Sequence, residues 1–185
     1  SALPAYTTVG LPDGAVRESR ERVNAAIKNS GFLFPQKRIT VNLAPAAIKK
    51  EGAAFDLPIA LGILAATGQL SLEKTAKIVI LGELALDGNL RPVRGALPIA
   101  AALADKNISK LALPETNSAE AAMVEEIEAY PLKNLREAVS FLNGDIELQP
   151  VSVDPDKLFE EAIDYIVDFH DVRGQEHAKR ALEVS

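Results

Sequence analysis

The 185 residues are enough for one ordinary domain and some further chain, and a hydrophobic content of 48%, drawn from Ala, Leu, Ile and Val without Trp, is enough for a proper core. There is no cysteine, which excludes a disulfide framework and thiolate chemistry and suits an intracellular protein; no apolar run reaches membrane-spanning length, and the start carries no signal-peptide pattern. The net charge of −6 argues against a dedicated nucleic-acid-binding domain, but residues 1–50 carry eight basic against three acidic side chains, a local +5 that leaves −11 for the remainder.

Residues 4–9 alternate and are rich in β-formers, which predicts a strand whose pairing partner lies upstream, outside the sequence. Leu11, Pro12, Asp13 and Gly14 carry turn chemistry. Over 15–30, Val16, Val23, Ala26 and Ile27 share one face, charges lie opposite, and Gly31 is a stop, so an amphipathic helix is expected. Arg17, Arg20 and Lys28 project off its apolar stripe. Residues 38–43 alternate Ile39, Val41 and Leu43 as a half-buried strand, with Lys37 and Arg38 at its mouth. If these cations share a face they form a positive patch on an acidic body; the plainer reading is the solvated faces of a helix and a strand end.

The stretch 51–69 organises the rest. A short loop with Gly52 leads to Asp56, which suits a helix cap, and to Pro58, which suits a first turn. No charge follows until after Gln69, and Gly68 is a natural stop. A helix without a polar face is expected to be surrounded on all sides. Phe55 and Leu57 draw Asp56 towards the core, with capping as its expected role.

Residues 77–86 predict a strand, Asp87 and Gly88 a two-residue hairpin turn, and 90–93 the returning strand. Gly95 precedes an Ala/Leu helix with Pro98 in its first turn, ending near Asn107. A short strand over 110–113 stops at Pro114. Asn117 or Ser118 is expected to cap a helix reaching about Ile127. A strand follows over 129–132, then a helix capped by Asn134 and closed by Asn143 and Gly144. At least five strands and four helices alternating in this way give an α/β or α+β sandwich with a mixed sheet. Residues 145–155 hold two prolines and read as a linker. Beyond it, Leu158, Phe159, Ile163 and Ile166 stand at helical spacing, and a second helical pattern is cut off at Ser185, so the sequence reads as a fragment.

Motifs for chemistry are sparse. His170 and His177 are seven apart, which does not fit a metal pair on one helix face. Glu125, Glu126 and Glu128, and Glu160 with Glu161, read as charged helix faces rather than paired catalytic acids. No phosphate-binding Gly-x-x-x-x-Gly-Lys-Ser/Thr loop occurs.

The segments EGAAFDLPIALGILAATGQL and LGELALDGNLRPVRGALPIAAAL, with TVGLPDGAVRESRERVNAAI and RITVNLAPA before them and DFHDVRGQEHAKRALEV after, resemble the N-terminal part of the ComM/YifB family of magnesium-chelatase-like AAA+ proteins. That part is similar in turn to the proteolytic domain of Lon-type proteases. The resemblance implies a two-layer α/β fold of the kind shared with one ribosomal-protein domain and several kinases, its first strand missing. It implies domain limits of 1–144 for the Lon-like part, 145–155 for a linker and 156–185 for the start of an AAA+ module. Lon-type enzymes carry a nucleophile loop Asp-Gly-Pro-Ser-Ala-Gly and a lysine on a second helix; the matching positions here are Ala54 and Leu97. Neither side chain has a nucleophilic atom or a base, so peptidase activity is not expected.

In the terminal segment, the resemblance places Val172, Gly174 and Gln175 in a turn beside the adenine of ATP, and the phosphate loop just after Ser185. No cofactor is therefore expected for these residues alone, with ATP and Mg implied for a full-length protein. It further implies a cytoplasmic ring, a hexamer, driving DNA branch migration in natural transformation, with no membrane partner. In that setting Arg17, Arg20, Lys28, Lys37 and Arg38 are the candidate DNA contacts. A degenerate peptidase and a chelatase-like assembly subunit are the alternatives.

Overall fold

A β-α-β unit opens the fold of this computed structural model, which describes residues 6–9, 13–43, 52–71 and 78–153. Strand β1 (Tyr6–Val9) runs parallel to β2 (Ile39–Asn42), Tyr6 opposite Ile39 and Val9 opposite Asn42. Parallel neighbours require a long crossover, which helix α1 (Asp13–Asn29) supplies. The first strand thus pairs downstream along one of its two edges. Contacts divide the chain into Ser1–Ser152 and Val153–Ser185, and the fold described is that of the first unit.

Helix α1 takes in Asp13 and Gly14, whose residue types predict a turn. An acidic residue at a helix start is favoured by the positive end of the dipole, so the same residues that make turns also open helices. Its end is sealed by paired backbone bonds, Phe32 N–H to the Ile27 carbonyl at 3.1 Å and Gly31 N–H to that of Lys28 at 3.0 Å. Gly31 adopts φ +84°, as this closure requires. Val23, Ala26 and Ile27 are fully buried, and α1 packs on α2 (Asp56–Ala66).

A 3₁₀ turn, Gly52–Phe55, leads into α2. Leu57, Ile59, Ala60, Leu61, Ile63 and Leu64 are buried, which puts this helix in the core as its lack of charge predicts. Enclosure on all sides, however, does not hold. Gly62 and Ala66 are exposed and Pro58 is half-buried, at the i, i+4, i+8 spacing of one helix face. On that side stand the half-buried Ile39 and Val41 of β2 and, just past its end, Leu43.

The strand expected over 77–86 is broken in two, β3 (Ile78–Ile80) and β4 (Glu83–Leu84): Leu81 still donates its N–H to the Ala112 carbonyl at 3.0 Å, but the backbone of Gly82 turns to the segment before α2. After a turn with Gly88 at φ +89°, β5 (Leu90–Arg91) returns antiparallel, Leu84 opposite Leu90. The loop is longer than two residues: Ala85 and Asn89 are already hydrogen-bonded, at 2.9 Å. Helix α3 (Ala96–Ala104) is followed by β6 (Lys110–Pro114), α4 (Glu115–Ala121), β7 (Glu128–Leu132) and α5 (Leu135–Asn143).

Strands β3, β6 and β7 form an all-parallel sheet in the order β3-β6-β7, and together with the β4–β5 hairpin they make the class α/β. Leu111, Leu113 and Ala129 pack with α3 and α4, whereas Ala112, Tyr130 and Leu132 pack with α1, α2 and α5. The sheet is thus covered on both faces, which is why β6 reads as an unbroken apolar run.

Helix α4 starts at Glu115 and ends at Ala121, shorter than expected, and neither Asn117 nor Ser118 caps it; Pro114 holds the cap position and both residues lie inside the helix. For α5 the expected cap is realised: Asn134 Oδ1 accepts the Glu137 N–H at 2.9 Å while Glu137 Oε2 accepts the Lys133 N–H at 2.6 Å. Gly144, at φ +76°, closes it. Within the segment read as a linker, Val151 donates its N–H to the Ala129 carbonyl at 2.8 Å, an antiparallel bridge at the edge of β7.

Candidate functional site

The loop that would carry a nucleophile by the Lon resemblance is the 3₁₀ turn before α2. Ala54 is half-buried there, and its carbonyl accepts the Gly82 N–H at 2.9 Å. In return the Gly82 carbonyl accepts the Leu57 N–H at 3.0 Å. These two bonds clamp the entry of α2 to the break between β3 and β4. The approach is close enough to need glycine: a Cβ on Gly82 would lie 2.9 Å from Leu90 Cδ2 and 3.1 Å from Leu57 Cδ2. The single strand that the sequence predicts over 77–86 is interrupted so that its backbone can hold this turn.

Asp56, expected as a cap, makes no cap bond; Phe55 occupies the N-cap position. Its carboxylate is 1% exposed and accepts from Ser19 Oγ at 2.7 Å and from Arg22 Nε at 2.6 Å, with the Leu84 N–H at 3.5 Å. Glu18 lies 3.7 Å from Arg22, and Glu83 pairs with Arg91 at 3.8 Å. Burial works against the charge of Arg22, but the hydrogen bond and charge of Asp56, with Glu83 and Glu18 beyond, outweigh it and raise the guanidinium above its ordinary value. Ser19 is 7% exposed and donates to a carboxylate already held by an arginine. Both oxygens of that carboxylate are already engaged, by Ser19 and by Arg22, so it is not arranged as a free general base beside the hydroxyl. Instead it ties α1, α2 and β4 together.

Sequence reading missed Ser19 and Arg22 as partners of Asp56. The available signal was a single acid opening a charge-free helix, with two polar residues three apart beside the apolar stripe of α1.

Leu97, at the lysine position of the resemblance, lies in the first turn of α3, is 39% exposed, and donates its N–H to Glu120 Oε1 at 3.0 Å. Asn117 of α4 acts as a surrogate strand: Oδ1 accepts the Val93 N–H at 2.8 Å and Nδ2 donates to the Val93 carbonyl at 2.9 Å. Here too polar groups are spent on holding backbone.

Arg17, Arg20, Lys28, Lys37 and Arg38 are all exposed. At 100° per residue Arg17 and Lys28 fall on nearly the same side of α1, with Glu21 between them and Arg20 adjacent, so the positive side of the helix is interleaved with acid. Among the described residues no ion pair reaches Arg17, Lys28, Lys37 or Arg38. Glu128 is not a solvated helix charge but a strand residue: it accepts from Tyr130 Oη at 2.5 Å and pairs with Lys110 at 3.5 Å. Among the described residues no cluster of His, Asp and Glu suits a metal, and no helix is long and apolar enough to cross a membrane. Val172, Gly174 and Gln175, both histidines, Glu160, Glu161 and the helical pattern from 156 lie outside the described residues.

Residues 1–117 match the family described as subunit ChlI of Mg-chelatase. Over 98% of its length the chain is 43% identical to competence protein ComM of Haemophilus influenzae. It is 40% identical over 99% to the uncharacterized protein YifB of Escherichia coli, and 37% identical over its whole length to the uncharacterized protein Mb2921c of Mycobacterium bovis. These relatives are much longer: the chain spans 36%, 35% and 36% of them.

Proposed function

The chain belongs to the ChlI family of Mg-chelatase-like AAA+ proteins that includes ComM and YifB, and we propose that it is a non-proteolytic Lon-like N-terminal domain acting as scaffold and docking module of an ATP-driven DNA motor. The observation that carries this reading is the condition of the turn before α2. Ala54 and Leu97 stand where the resemblance puts nucleophile and base, Ala54 lends its carbonyl to Gly82, and Asp56 is engaged by Arg22 and Ser19. Groups that would do chemistry in a protease serve here to fix the junction of three elements.

In the full-length protein the motor would be a cytoplasmic hexameric ring that uses ATP and Mg, with Val172, Gly174 and Gln175 beside the adenine. Its work would be branch migration of DNA during natural transformation, which the name of the Haemophilus relative, a competence protein, supports. Exposed Arg17, Arg20, Lys28, Lys37 and Arg38 would meet phosphates entering the ring. One domain alone would bind weakly, since few phosphates are neutralised and the net −11 after residue 50 repels the duplex.

The test is full-length protein assayed for ATP-dependent branch migration and for casein cleavage. Migration without cleavage is expected; cleavage that disappears on mutating a hydroxyl residue near Ala54 overturns the non-proteolytic reading. Changing Arg17, Arg20 and Lys28 together to Glu should weaken DNA binding by the whole protein. Undiminished binding removes the DNA contact from this domain and leaves a packing scaffold. The matched family's own description favours a second reading, an assembly subunit for magnesium insertion; porphyrin metallation by the full-length protein would establish it.

A further inference from the structure

Asn143 and Gly144 form a pair with a chemistry of its own. The backbone nitrogen that follows an asparagine can attack the side-chain amide, and glycine leaves that nitrogen least hindered and its backbone freest. Here the fold engages both reacting groups. Asn143 is the last residue of α5, and Gly144 closes the helix at φ +76°. The Gly144 N–H is donated to the Phe141 carbonyl at 3.0 Å, which holds the proton that must leave before this nitrogen can attack. The amide that would be attacked is held as well: Asn143 Oδ1 accepts the Ser71 N–H at 3.0 Å. Leu70 and Leu142, the residues before Ser71 and Asn143, are both buried, so this bond latches the end of α5 to the segment after α2. Gly144 is nevertheless exposed and Asn143 only half-buried, so water has access once the last turn opens. Helix ends are among the places where local opening costs least.

We propose that Asn143 is a self-modification site, a deamidating asparagine whose reaction is gated by opening of the last turn of α5. In the open turn the Gly144 nitrogen attacks Asn143 Cγ. The bond from Cγ to Nδ2 breaks, and ammonia leaves with the proton that Gly144 gives up. Water then opens the cyclic imide, at one carbonyl to give aspartate and at the other to give isoaspartate, in which the main chain runs through the former side chain. Either product weakens the joint. Aspartate puts a negative charge at the carbonyl end of α5, where the helix dipole disfavours it. Isoaspartate lengthens the main chain by a carbon just before Gly144 and Asp145 donate their N–H groups to the carbonyls of Phe141 and Ser140, at 3.0 and 2.8 Å.

The experiment incubates the 185-residue chain at mildly alkaline pH, folded and in concentrated urea, and follows residue 143 by peptide mapping with mass spectrometry. The unfolded chain should form product at Asn143 at least about tenfold faster than the folded one, since only the open fraction of the folded protein reacts. Below the unfolding transition, added urea should speed the deamidation of Asn143 and the amide exchange of Gly144 and Asp145 in the same proportion, because one opening exposes both. The modified protein should melt below the unmodified one. Equal rates in the folded and unfolded chains, or exchange that rises with urea while deamidation stays level, overturn the gate. The absence of product at Asn143 in the unfolded chain overturns the site itself, and equal melting of the two forms overturns the latch.

Discussion

Helices α2 and α3 look alike in sequence and fare differently in the fold. After Asp56 neither carries a charge, yet α2 buries seven residues and α3 only Ala96 and Ala100. The start of α2 is held by backbone bonds to Gly82 and by the buried Asp56–Arg22 pair. The start of α3 follows Gly95, at φ +77°, and is held by a carboxylate, Glu120, with Asn117 fixing the segment before it. Leu97, Pro98, Ala101 and Ala102 remain exposed. Apolarity makes a helix seek burial, but position in the layers decides how much it gets. Helix α2 has α1 against it and lies in the cluster that includes α5, while α3 lies on the outer face of the sheet with α4 as its neighbour.

The largest test of this contrast places one carboxylate in each helix. Leu61→Asp, at a site 4% exposed, should cost several kcal/mol by urea denaturation, since an unpaired charge is taken from water. Leu97→Asp, at 39% exposed, should cost less than about 1 kcal/mol. Similar losses would mean that α2 is no more central than α3.

Next in size is the clamp on α2. Asp56→Ala leaves the Arg22 side chain, 20% exposed, without its buried partner and with only the exposed Glu18 at 3.7 Å, and should cost about 3 kcal/mol. In an Arg22→Met background the same substitution should cost much less, a coupling that a double-mutant cycle reads directly. Additive losses would show that the pair does not act as a unit. The corresponding clamp near α3 is neutral and should be weaker: Asn117→Ala strips both backbone groups of Val93 of a partner and should cost about 2 kcal/mol. A loss greater than that of Asp56→Ala would reverse the ranking of the two clamps.

The smallest effect is a pH dependence on the shared sheet. Burial first, then the hydrogen bond and negative charge of Glu128, lift the Tyr130 hydroxyl above its ordinary value against the pull of Lys110. An unfolded tyrosine ionises near about pH 10, so the folded state holds its proton to higher pH. The contribution is complete below the unfolded value and is lost as pH rises through the folded one. Tyr130→Phe should therefore flatten the fall of melting temperature above about pH 10, without changing its acid limb. An unchanged alkaline slope would show that Tyr130 does not couple to folding.

Features with local causes were readable in the chain. Asn134 with Glu137 predicts the start of α5, and Gly31, Gly68 and Gly144 mark helix ends because only a left-handed residue closes them cheaply. The apolar run over 110–113 predicts a short strand, which the structure then buries on both faces. Features that depend on distant partners are not legible in the sequence. Asp13 and Gly14 have the chemistry of both a turn and a helix start, and only the need for a crossover between parallel β1 and β2 decides between them. Asn117 resembles a cap until Val93, 24 residues away, arrives opposite it.

The candidate site divides in the same way. That Ala54 and Leu97 bring no nucleophile and no base is a matter of side-chain composition, which sequence alone determines, as it does the helical character of 56–66 and the uneven charge of the first fifty residues. That Asp56 is a buried ion-pair partner and not a cap was decided only in three dimensions. A carboxylate at a helix start can satisfy its own backbone or a cation from elsewhere, and packing of α1 brings Ser19 and Arg22, 37 and 34 residues distant, within hydrogen-bond reach. The break at Gly82 likewise follows from which backbones approach each other, a property of the packed chain that no local run of residues encodes.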